Sequence, residues 1–400
     1  MRHLYFFNEF LQENLNDDTD SMWNMIPDSV KYLQRIFKNN GKKLYLVGGS
    51  VRDFINGEKP KDFDLATDTN PDEILDIIGD EFKTSQQGKA FGVVVVYPED
   101  QPKGIEIATF REDIYGEKLG LTRNPDVTFS TIDKDVERRD ITYNALFYDL
   151  ESKKIIDLVG GIQDLKNKKT RFVGNPDMRI KEDPLRILRL IRFNCRYGFD
   201  IDKSSFDAIK RNKNELCNIT KERIWSMSGD VSGEIVKSYQ QAKDFKQYLE
   251  LLDEFDLWFC LFQGLKINTN IVECNHLVLY IANLLVDNDP KNLLTHMTQK
   301  LKIEYDFSKK VAFLISLMKL NFENVLELYK KKAISGVERE MIEEWYMMKG
   351  LTEAMFQVFL DFEPTVSAND LMQAGFKDAE LGREIKRLET LRFKELCESN

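Results

Sequence analysis

Hydrophobic and polar positions follow two different spacings, and these divide the chain into two regions. Between about residues 28 and 158, short apolar runs bounded by turn residues predict buried β-strands mixed with helices. The predicted strands lie at 44–47, 91–97, 104–110, 144–150 and 155–158. From about Asp164 onward, apolar residues recur with the helical period, as at Phe245, Tyr248, Leu252 and Phe255. The expected fold class is therefore α+β, a mixed sheet with helices followed by an all-helical region.

The predicted domain organisation follows these changes in pattern. We expect an acidic N-terminal extension, an α+β head, a neck, a helical body and a helical tail at residues 1–29, 30–163, 164–235, 236–340 and 341–400. The longest nearly apolar stretch, 277–286, is shorter than the ~20 residues that span a bilayer. The N-terminal stretch lacks the apolar core of a targeting signal. A cytoplasmic protein without a membrane partner is the expectation, and the oligomeric state is not predicted.

Composition and charge narrow the chemistry. None of the three histidines, His3, His276 and His296, lies at metal-ligand spacing with another, which disfavours zinc sites and histidine-based triads. Any catalysis is therefore expected to depend on carboxylates and a hard cation. The net charge of −10 disfavours a nucleic-acid partner, yet residues 166–223 contain 16 Lys and Arg against 8 Asp and Glu. This basic segment is either a phosphate-binding surface or a solvated helix face.

Two groups of residues in the head are candidates for phosphate chemistry. Gly48 and Gly49 end a predicted strand, where a backbone without side chains can approach a phosphate closely. Asp62 and Asp64 would share one face of a strand with Phe63 buried behind them, and Glu106 lies on another predicted strand between two isoleucines. Three carboxylates beside a phosphate-binding turn would form a two-metal phosphoryl-transfer site. The alternatives are an ordinary turn and surface acids.

Three motifs in order resemble one family. Gly-Gly-Ser, eleven residues and Asp-Phe-Asp resemble the polymerase-β-type nucleotidyltransferases. The fuller string LVGGSVRDFINGEKPKDFDLATDTNPDEI at 46–74 resembles motif A of class II tRNA nucleotidyltransferases, the CCA-adding enzymes, and of the related bacterial poly(A) polymerases. ERRDITYNAL at 137–146 is similar to the RRDFT-x-NA motif of that family, and EDPLR at 182–186 to its nucleotide-selecting EDxxR motif. The resemblance implies a polymerase-β-type nucleotidyltransferase head followed by a helical neck, body and tail.

The resemblance also implies a role for each motif residue. Asp62 and Asp64 would bind Mg²⁺ with Glu106 as the third catalytic carboxylate, while Gly49 and Arg52 would contact the incoming triphosphate. The nucleotide-binding residues that the family motifs add are Arg139 and Asp140 at the ribose, Asp183 and Arg186 at the base, and Arg189 and Arg192 behind them. Arg138 is left open between ribose handling and a structural ion pair.

The proposed base selection has a simple chemical basis. Cytosine and adenine both present an amino donor beside a ring-nitrogen acceptor, so a carboxylate and a guanidinium suit both bases. Uracil and guanine present the opposite order and would leave polar groups unpaired. Asp183 followed by Pro184 also predicts a helix start with Asp183 as the N-cap, and arginines at 186, 189, 192 and 196 form one stripe. Whether Asp183 serves as N-cap or base reader is open from sequence.

Weaker similarities extend beyond these motifs. Residues 110–127 resemble the flexible loop implicated in changing from C to A addition, and Gly116 and Gly120 are consistent with mobility. Residues 368–375 and 381–385 resemble the tail module, and the resemblance implies that the helical arm binds the tRNA acceptor and TΨC region through phosphates and shape. The RNA-binding candidates are Lys210, Arg211, Lys213, Lys386, Arg387 and Arg392.

The function implied is template-independent addition of CCA to the tRNA 3′ end from CTP and ATP, with release of pyrophosphate. The alternatives are a poly(A) polymerase or a partial enzyme that adds only CC or only A. An RNA-binding module without activity and a nucleotidyltransferase for small molecules are further alternatives.

Overall fold

The computed structural model describes residues 22–115, 126–227, 232–351 and 354–399 of the chain. These form two compact units, the first ending at Ile219 and the second beginning at Thr220. The first unit contains the β-strands and the second is helical, which confirms the expected α+β class. The division falls inside the predicted neck, and the finer domain boundaries stay predictions. The N-terminal residues 1–21 and most of the loop with Gly116 and Gly120 lie outside the described residues.

A seven-stranded mixed sheet forms the centre of the first unit. Its strands are β1 (Tyr45–Val47), β2 (Leu65–Thr67), β3 (Lys83–Ser85), β4 (Val93–Tyr97), β5 (Ile105–Thr109), β8 (Phe147–Asp149) and β9 (Lys154–Ile156). The spatial order is β3-β4-β5-β2-β1-β8-β9. Only β2 and β5 run parallel in this sheet, and their register places Leu65 opposite Ile107. The parallel register of β2 and β5 therefore determines which residue of β5 lies beside each residue just before β2.

Two small strand pairs accompany the sheet. β6 (Arg111–Ile114) and β7 (Asp126–Phe129) are antiparallel and flank the predicted flexible loop. β10 (Lys169–Thr170) and β11 (Asp200–Ile201) are parallel. The five predicted strands are all present with shorter bounds, whereas these pairs and the polar β3 were not predicted. Runs of two to four residues with few apolar side chains give too little periodicity to be recognised.

Eight α-helices surround the strands of the described first unit. They are α1 (Asp28–Asn39), α2 (Gly49–Ile55), α3 (Pro71–Ile78), α4 (Ile132–Glu137), α5 (Gly161–Lys166), α6 (Pro176–Glu182), α7 (Arg186–Tyr197) and α8 (Lys203–Asn212). Local sequence starts several of them. Asn70 and Asn175 cap α3 and α6 through their side-chain oxygens, and each is followed by proline at the first helical position.

The described part of the second unit contains twelve helices. They are α9 (Lys221–Trp225), α10 (Glu234–Gln241), α11 (Phe245–Glu254), α12 (Trp258–Phe262), α13 (Leu277–Leu284), α14 (Pro290–Gln299), α15 (Tyr305–Leu317), α16 (Val325–Ser335), α17 (Arg339–Lys349), α18 (Ala354–Asp361), α19 (Ala368–Gln373) and α20 (Asp378–Ser399). Phe245, Tyr248, Leu252 and Phe255 are all buried, as their helical spacing predicts. No described helix is both long and apolar enough to cross a membrane.

Candidate active site

The Gly-Gly turn is built as the sequence predicts. β1 ends at Val47, Gly48 takes a positive φ of 68°, and α2 begins at Gly49. The Gly48 N–H donates to the Leu146 carbonyl at 2.9 Å, which attaches the turn to β8. A Cβ atom at Gly48 would lie 3.4 Å from the Asn144 carbonyl oxygen. That distance is an ordinary van der Waals contact, so it is the positive φ that favours glycine at the turn.

Arg52 lies behind the turn and is buried. Its guanidinium donates to Asp53 Oδ1 from Nε at 2.8 Å and from Nη2 at 2.7 Å, and its Nη1 donates to the side chain of Asn144. The Cζ atom also stands 5.1 Å from the ring centroid of Phe193. The structure therefore places Arg52 in a buried hydrogen-bonded network, and its predicted contact with a triphosphate stays a prediction.

The three predicted carboxylates lie at adjacent strands. Asp62 and Asp64 precede β2 rather than lying within it, and Phe63 is only half-buried, so the expectation of a strand with a fully buried Phe63 is wrong. The backbone nevertheless pairs already at Asp64, whose carbonyl accepts from Val47 N–H at 3.0 Å. Because Leu65 faces Ile107 in the parallel register, Asp64 stands level with Glu106.

Electrostatics show that these carboxylates act on one another. Asp64 keeps solvent-accessible surface, yet the protein atoms around it remove part of its hydration. This loss of hydration and the negative charges of Glu106 and Asp62 raise the pKa of Asp64 to about 6, with Arg139 acting in the opposite direction. A cation between the carboxylates would relieve the repulsion.

The carboxylates of Asp62 and Asp64 have the chemistry of a magnesium site. Carboxylate oxygens are the ligands that Mg²⁺ prefers, and Mg²⁺ usually takes one or two protein carboxylates with water or substrate phosphates. Asp62 and Asp64 fit that number. Within the described residues, no group of three or more His, Cys, Asp or Glu side chains is arranged to hold an ion. The residues thus suit an ion shared with substrate rather than one enclosed by the protein.

Asp135 holds the two arginines of the RRD motif. Its Oδ1 accepts from Arg138 Nε at 2.8 Å and its Oδ2 from Arg139 Nη2 at 2.8 Å. Burial opposes ionisation of Asp135, but the charges of Arg139 and Arg138 outweigh it and lower its pKa. Arg138 therefore makes the structural ion pair that the sequence left open. Arg139 pairs with the same carboxylate, and its positive charge also lowers the pKa of Asp64.

Asp140 connects the RRD motif to α7. Its Oδ2 accepts from Arg189 Nε at 2.7 Å, and its Oδ1 accepts from Asn144 Nδ2 at 3.2 Å and from Ile141 N–H at 2.8 Å. Burial disfavours the charge of Asp140, yet Arg189 and the hydrogen bonds hold its pKa well below the usual range. Asp140 is therefore an anion throughout the neutral range.

Asp183 and Arg186 stand at the start of α7. The helix begins at Arg186 with Leu185 as its N-cap, so the prediction of Asp183 as the N-cap is wrong. Asp183 Oδ1 instead accepts from the Leu185 N–H at 3.2 Å, just before the helix. Arg186 is buried, with Nη1 on Glu182 Oε2 at 2.6 Å and Nη2 on the Arg138 carbonyl at 2.7 Å. Asp183 itself is half-buried. The Asp183 carboxylate thus contacts the backbone just before α7 begins, and its reading of a base stays a prediction.

The arginine stripe of α7 is not a solvated face. Arg186 and Arg192 are buried, whereas Arg189 and Arg196 are half-buried. Arg192 Cζ lies 4.3 Å from the ring centroid of Phe193. Arg189 and Arg196 instead pair with carboxylates of the same unit.

The RNA-binding candidates lie on surfaces of both units. In the first unit, Lys210 is exposed with its Nζ 4.5 Å from the ring centroid of Phe206, and Arg211 pairs with Asp177 at 2.8 Å. Lys213 is half-buried at the end of α8. In the second unit, Lys386 and Arg387 are exposed on α20.

Two arginines of this candidate set have intramolecular partners in the second unit. Arg387 pairs with Glu384 at 2.7 Å, and Arg392 donates to the Glu363 carbonyl and lies 3.4 Å from Glu389. Binding of RNA by any of these residues stays a prediction.

Sequence reasoning missed four residues of the site, Asp53, Asp135, Asn144 and Glu182. Asp135 had a readable signal, because it precedes the two arginines by three and four residues, the spacing of neighbours on a helix. Glu182 had the same signal, four residues before Arg186. Asp53 and Asn144 had none, since the fold brings Tyr197 to Asp53 and Arg52 to Asn144 from distant parts of the chain.

Known proteins agree with the motifs. Residues 44–171 match the family model described as the poly A polymerase head domain. The resemblance read from the sequence is confirmed. Poly(A) polymerase I of Salmonella typhimurium is 32% identical over 249 residues, covering 58% of this chain and 51% of that protein. The CCA-adding enzyme of Ligilactobacillus salivarius is 42% identical over 206 residues, covering 50% and 48%.

The chain spans about half the length of the curated relatives it matches. Solved structures extend the similarity in fold to nearly the whole chain. The Thermotoga maritima CCA-adding enzyme complexed with tRNA-CCA has a TM-score of 0.65 at 19% identity, covering 95% of this chain and 97% of that one. The Bacillus stearothermophilus CCA-adding enzyme in complex with CTP has a TM-score of 0.61 at 21% identity, covering 92% of each chain. The protein therefore has the CCA-adding enzyme fold.

Proposed function

We propose that this protein is a tRNA nucleotidyltransferase that adds CMP, CMP and AMP to the tRNA 3′ hydroxyl from CTP and ATP, releasing pyrophosphate. The observation that carries the proposal is the continuous set of contacts in the first unit. Asp64 interacts with Arg139, Asp135 holds Arg139 beside Arg138, and the Arg138 carbonyl accepts from Arg186. These interactions connect the acidic group with Arg186, which supports a single site for both.

The carboxylates are proposed to hold Mg²⁺ through Asp62 and Asp64, with Glu106 beside them as the third catalytic carboxylate. Bound Mg²⁺ supplies charge neutralisation of the triphosphate and a lowered pKa of the attacking hydroxyl. The protein contributes an ionised Asp64, and its pKa of about 6 leaves that carboxylate mostly charged at pH 7 to 8. The exposed Asp62 and Glu106 keep the site open to a nucleotide and an RNA end.

The triphosphate and ribose are proposed to lie between the Gly-Gly turn and the RRD motif. Gly49 offers a backbone that a phosphate can approach closely, with Arg52 behind it. Asp140 is an acceptor with fixed charge, suited to a ribose hydroxyl, and Arg189 holds it in place. Arg139 contributes positive charge close to Asp64.

Base selection is assigned to Asp183 and Arg186, with Arg189 and Arg192 supporting the pocket. Asp183 would accept from the amino group of cytosine or adenine, while Arg186 would donate to the ring nitrogen. Because Glu182 Oε2 and the Arg138 carbonyl already orient Arg186, little conformational freedom is lost when a base binds. A protein that reads the base edge in this way needs no nucleic-acid template.

The tRNA would be bound through phosphates and shape by basic side chains of the neck and tail. A cytoplasmic location stays the expectation from sequence, and the oligomeric state is not assigned.

A poly(A) polymerase is the second candidate, because poly(A) polymerase I proteins match over the longer stretch of chain. A partial enzyme that adds only CC or only A uses the same site. Both candidates share the metal and base-reading residues, so the products rather than the site distinguish them.

A nucleotide-addition assay tests the proposal. tRNA transcripts that end at the discriminator base, at C and at CC would be offered CTP, ATP, UTP or GTP singly with Mg²⁺. We expect CTP to extend the first two transcripts and ATP the third, with UTP and GTP poorly used. Asp62→Asn and Asp64→Asn should abolish addition while retaining the fold measured by circular dichroism. Binding of tRNA by the wild type without any addition would defeat the enzyme proposal.

A further inference from the structure

A buried carboxylate to which the proposed function gives no role connects the Gly-Gly turn with α7. Asp53 belongs to α2, which starts at the Gly-Gly turn, and only 8% of its surface is exposed. Its Oδ1 accepts from Arg52 Nη2 at 2.7 Å and from Tyr197 Oη at 2.8 Å, and its Oδ2 accepts from Arg196 Nη2 at 3.2 Å. Arg196 and Tyr197 form the last turn of α7, about 140 residues away in sequence.

A second connection joins the same two elements at the other end of α7. Arg52 Nη1 donates to Asn144 Oδ1, Asn144 Nδ2 donates to Asp140 Oδ1 at 3.2 Å, and Asp140 Oδ2 accepts from Arg189 at 2.7 Å. The hydrogen bonds therefore close a ring that leaves α7 at Arg189 and returns at its last turn. A ring with two attachments resists both sliding and rotation of α7, whereas a single contact would permit rotation.

We infer that Asp53 is a positioning residue for base selection, which holds the phosphate turn at a fixed distance from the base-reading start of α7. The inference rests on the proposed function. A nucleotide anchored by its phosphates presents its base edge to Asp183 and Arg186 only if that distance is fixed. If that distance can vary by about an ångström, uracil or guanine can shift until its donors no longer face the donors of the protein. Discrimination against these two bases then falls.

The expected effect of Asp53→Asn is therefore a loss of selectivity. Asparagine keeps the shape but cannot accept from three donors as an ionised carboxylate does. We expect kcat/KM for CTP relative to UTP to fall about tenfold or more on a tRNA that accepts C, since small misplacements of reacting groups have effects of this size. Tyr197→Phe, which removes a single hydrogen bond to Asp53, should lower the same ratio by a smaller factor.

The matched control is Asp157→Asn. Asp157 is 7% exposed, lies in the same unit, and accepts from the backbone N–H groups of Gly160, Gly161 and Ile162, none of which belongs to the ring. Asp157→Asn should lose only stability. Its melting temperature should fall as much as that of Asp53→Asn, while its ratio of kcat/KM for CTP to that for UTP stays unchanged. The ratio thus separates positioning from stability.

Two results would overturn the inference. The first is a ratio of kcat/KM for CTP to that for UTP in Asp53→Asn that equals the wild-type ratio. The second is a fall of this ratio in Asp157→Asn as large as the fall in Asp53→Asn. If Asp53→Asn does not fold, Tyr197→Phe and Arg196→Lys take its place, and wild-type ratios in both overturn the inference. A wild-type protein that does not prefer CTP and ATP would defeat the proposed function itself, whereas preference in the wild type with preference retained in Asp53→Asn defeats only this inference.

Discussion

Asp64 illustrates how a functional carboxylate opposes stability. Its pKa is about 6 in the folded protein and 3.8 in the unfolded reference, so the folded state binds the proton more tightly. Ionised Asp64 therefore destabilises the metal-free protein above pH 6, and this cost disappears as the pH falls through 6 to below 3.8. Exposure and screening reduce the effect to about 1 kcal/mol.

The corresponding experiment is thermal unfolding of Asp64→Asn in EDTA. We expect its Tm at pH 7.5 to exceed that of the wild type by about 2–4 °C, and the gain to vanish near pH 4. Mg²⁺ should raise the Tm of the wild type but not of the variant. Asp68→Asn, at an exposed position of the same segment, is the control and should leave Tm unchanged. A lower Tm for Asp64→Asn in EDTA would contradict the electrostatic account.

In the proposed function, base selection depends most directly on Asp183. Asp183→Ala removes the acceptor for the amino group of cytosine and adenine. We expect kcat/KM for CTP and for ATP to fall about 5- to 150-fold, the equivalent of one unpaired polar group. Asp177→Ala, in the preceding helix and paired with Arg211, should change neither value. Equal losses in the two variants, measured by single-nucleotide addition, would remove Asp183 from the base-reading role.

At the scale of elements, α4 is fixed to the RRD motif by Asp135. Burial opposes its charge, but Arg139 and Arg138 outweigh burial and lower its pKa below the reference of 3.8. The stabilisation is therefore complete above pH 4 and is lost as the pH falls through the lower folded pKa.

Asp135→Asn tests this element by urea unfolding. We expect the free energy of unfolding at pH 7 to fall by about 3 kcal/mol, because two arginines lose a buried carboxylate. The difference from wild type should shrink below pH 4. Asp133→Asn, exposed on the same helix, should have no effect. Wild-type stability of Asp135→Asn at pH 7 would show that the pair contributes nothing.

A glycine explains how α5 packs. A Cβ atom at Gly161 would lie 2.4 Å from the Thr142 carbonyl oxygen, whereas a Cβ atom at Gly382 in α20 would have no atom within 4 Å. Gly161→Ala should therefore lower stability by about 2 kcal/mol or more, and Gly382→Ala should raise it by about 0.5–1 kcal/mol through helix propensity. Chemical denaturation compares the two, and a neutral Gly161→Ala would contradict the close packing.

Sequence patterns predicted the helices and strands that have periodic apolar residues or clear turn residues at their ends. The valine run of β4 and the apolar stripe of α11 were recognised, and the isoleucines beside Glu106 are buried as alternation predicts. β3, with the sequence Lys-Thr-Ser, was missed because it is stabilised by pairing with β4 rather than by its own side chains. The two-residue β10 and β11 were missed for the same reason.

The same distinction holds within the site. The motif residues, including Asp183 and Arg186, were proposed from the family resemblance. The partners of Arg52 were not, since Asn144 reaches it only after β1 and β8 pair. Solvated arginines on α7 were the alternative that one helix alone would favour. That alternative does not hold because carboxylates on α2 and after α4 come to meet that face.

At the scale of the whole molecule, positive charge is concentrated in one segment of an acidic chain. The excess of positive charge in residues 166–223 lies mostly in the first unit, within a chain of net charge −10. Much of that charge is used internally, because Arg186, Arg189 and Arg196 pair with carboxylates of the same unit. Part of the basic segment therefore forms neither a phosphate-binding surface nor a solvated face, but ion pairs inside the first unit.

The proposed function requires this protein to add C, C and A to the tRNA 3′ end without a template and then to stop. The most direct measurement is sequencing of the products formed on a tRNA that ends at the discriminator base, with all four nucleoside triphosphates and Mg²⁺ present. The account predicts CCA ends with few U or G residues and no further growth. Long A tails would instead identify a poly(A) polymerase, and products of random sequence would contradict base selection by Asp183 and Arg186.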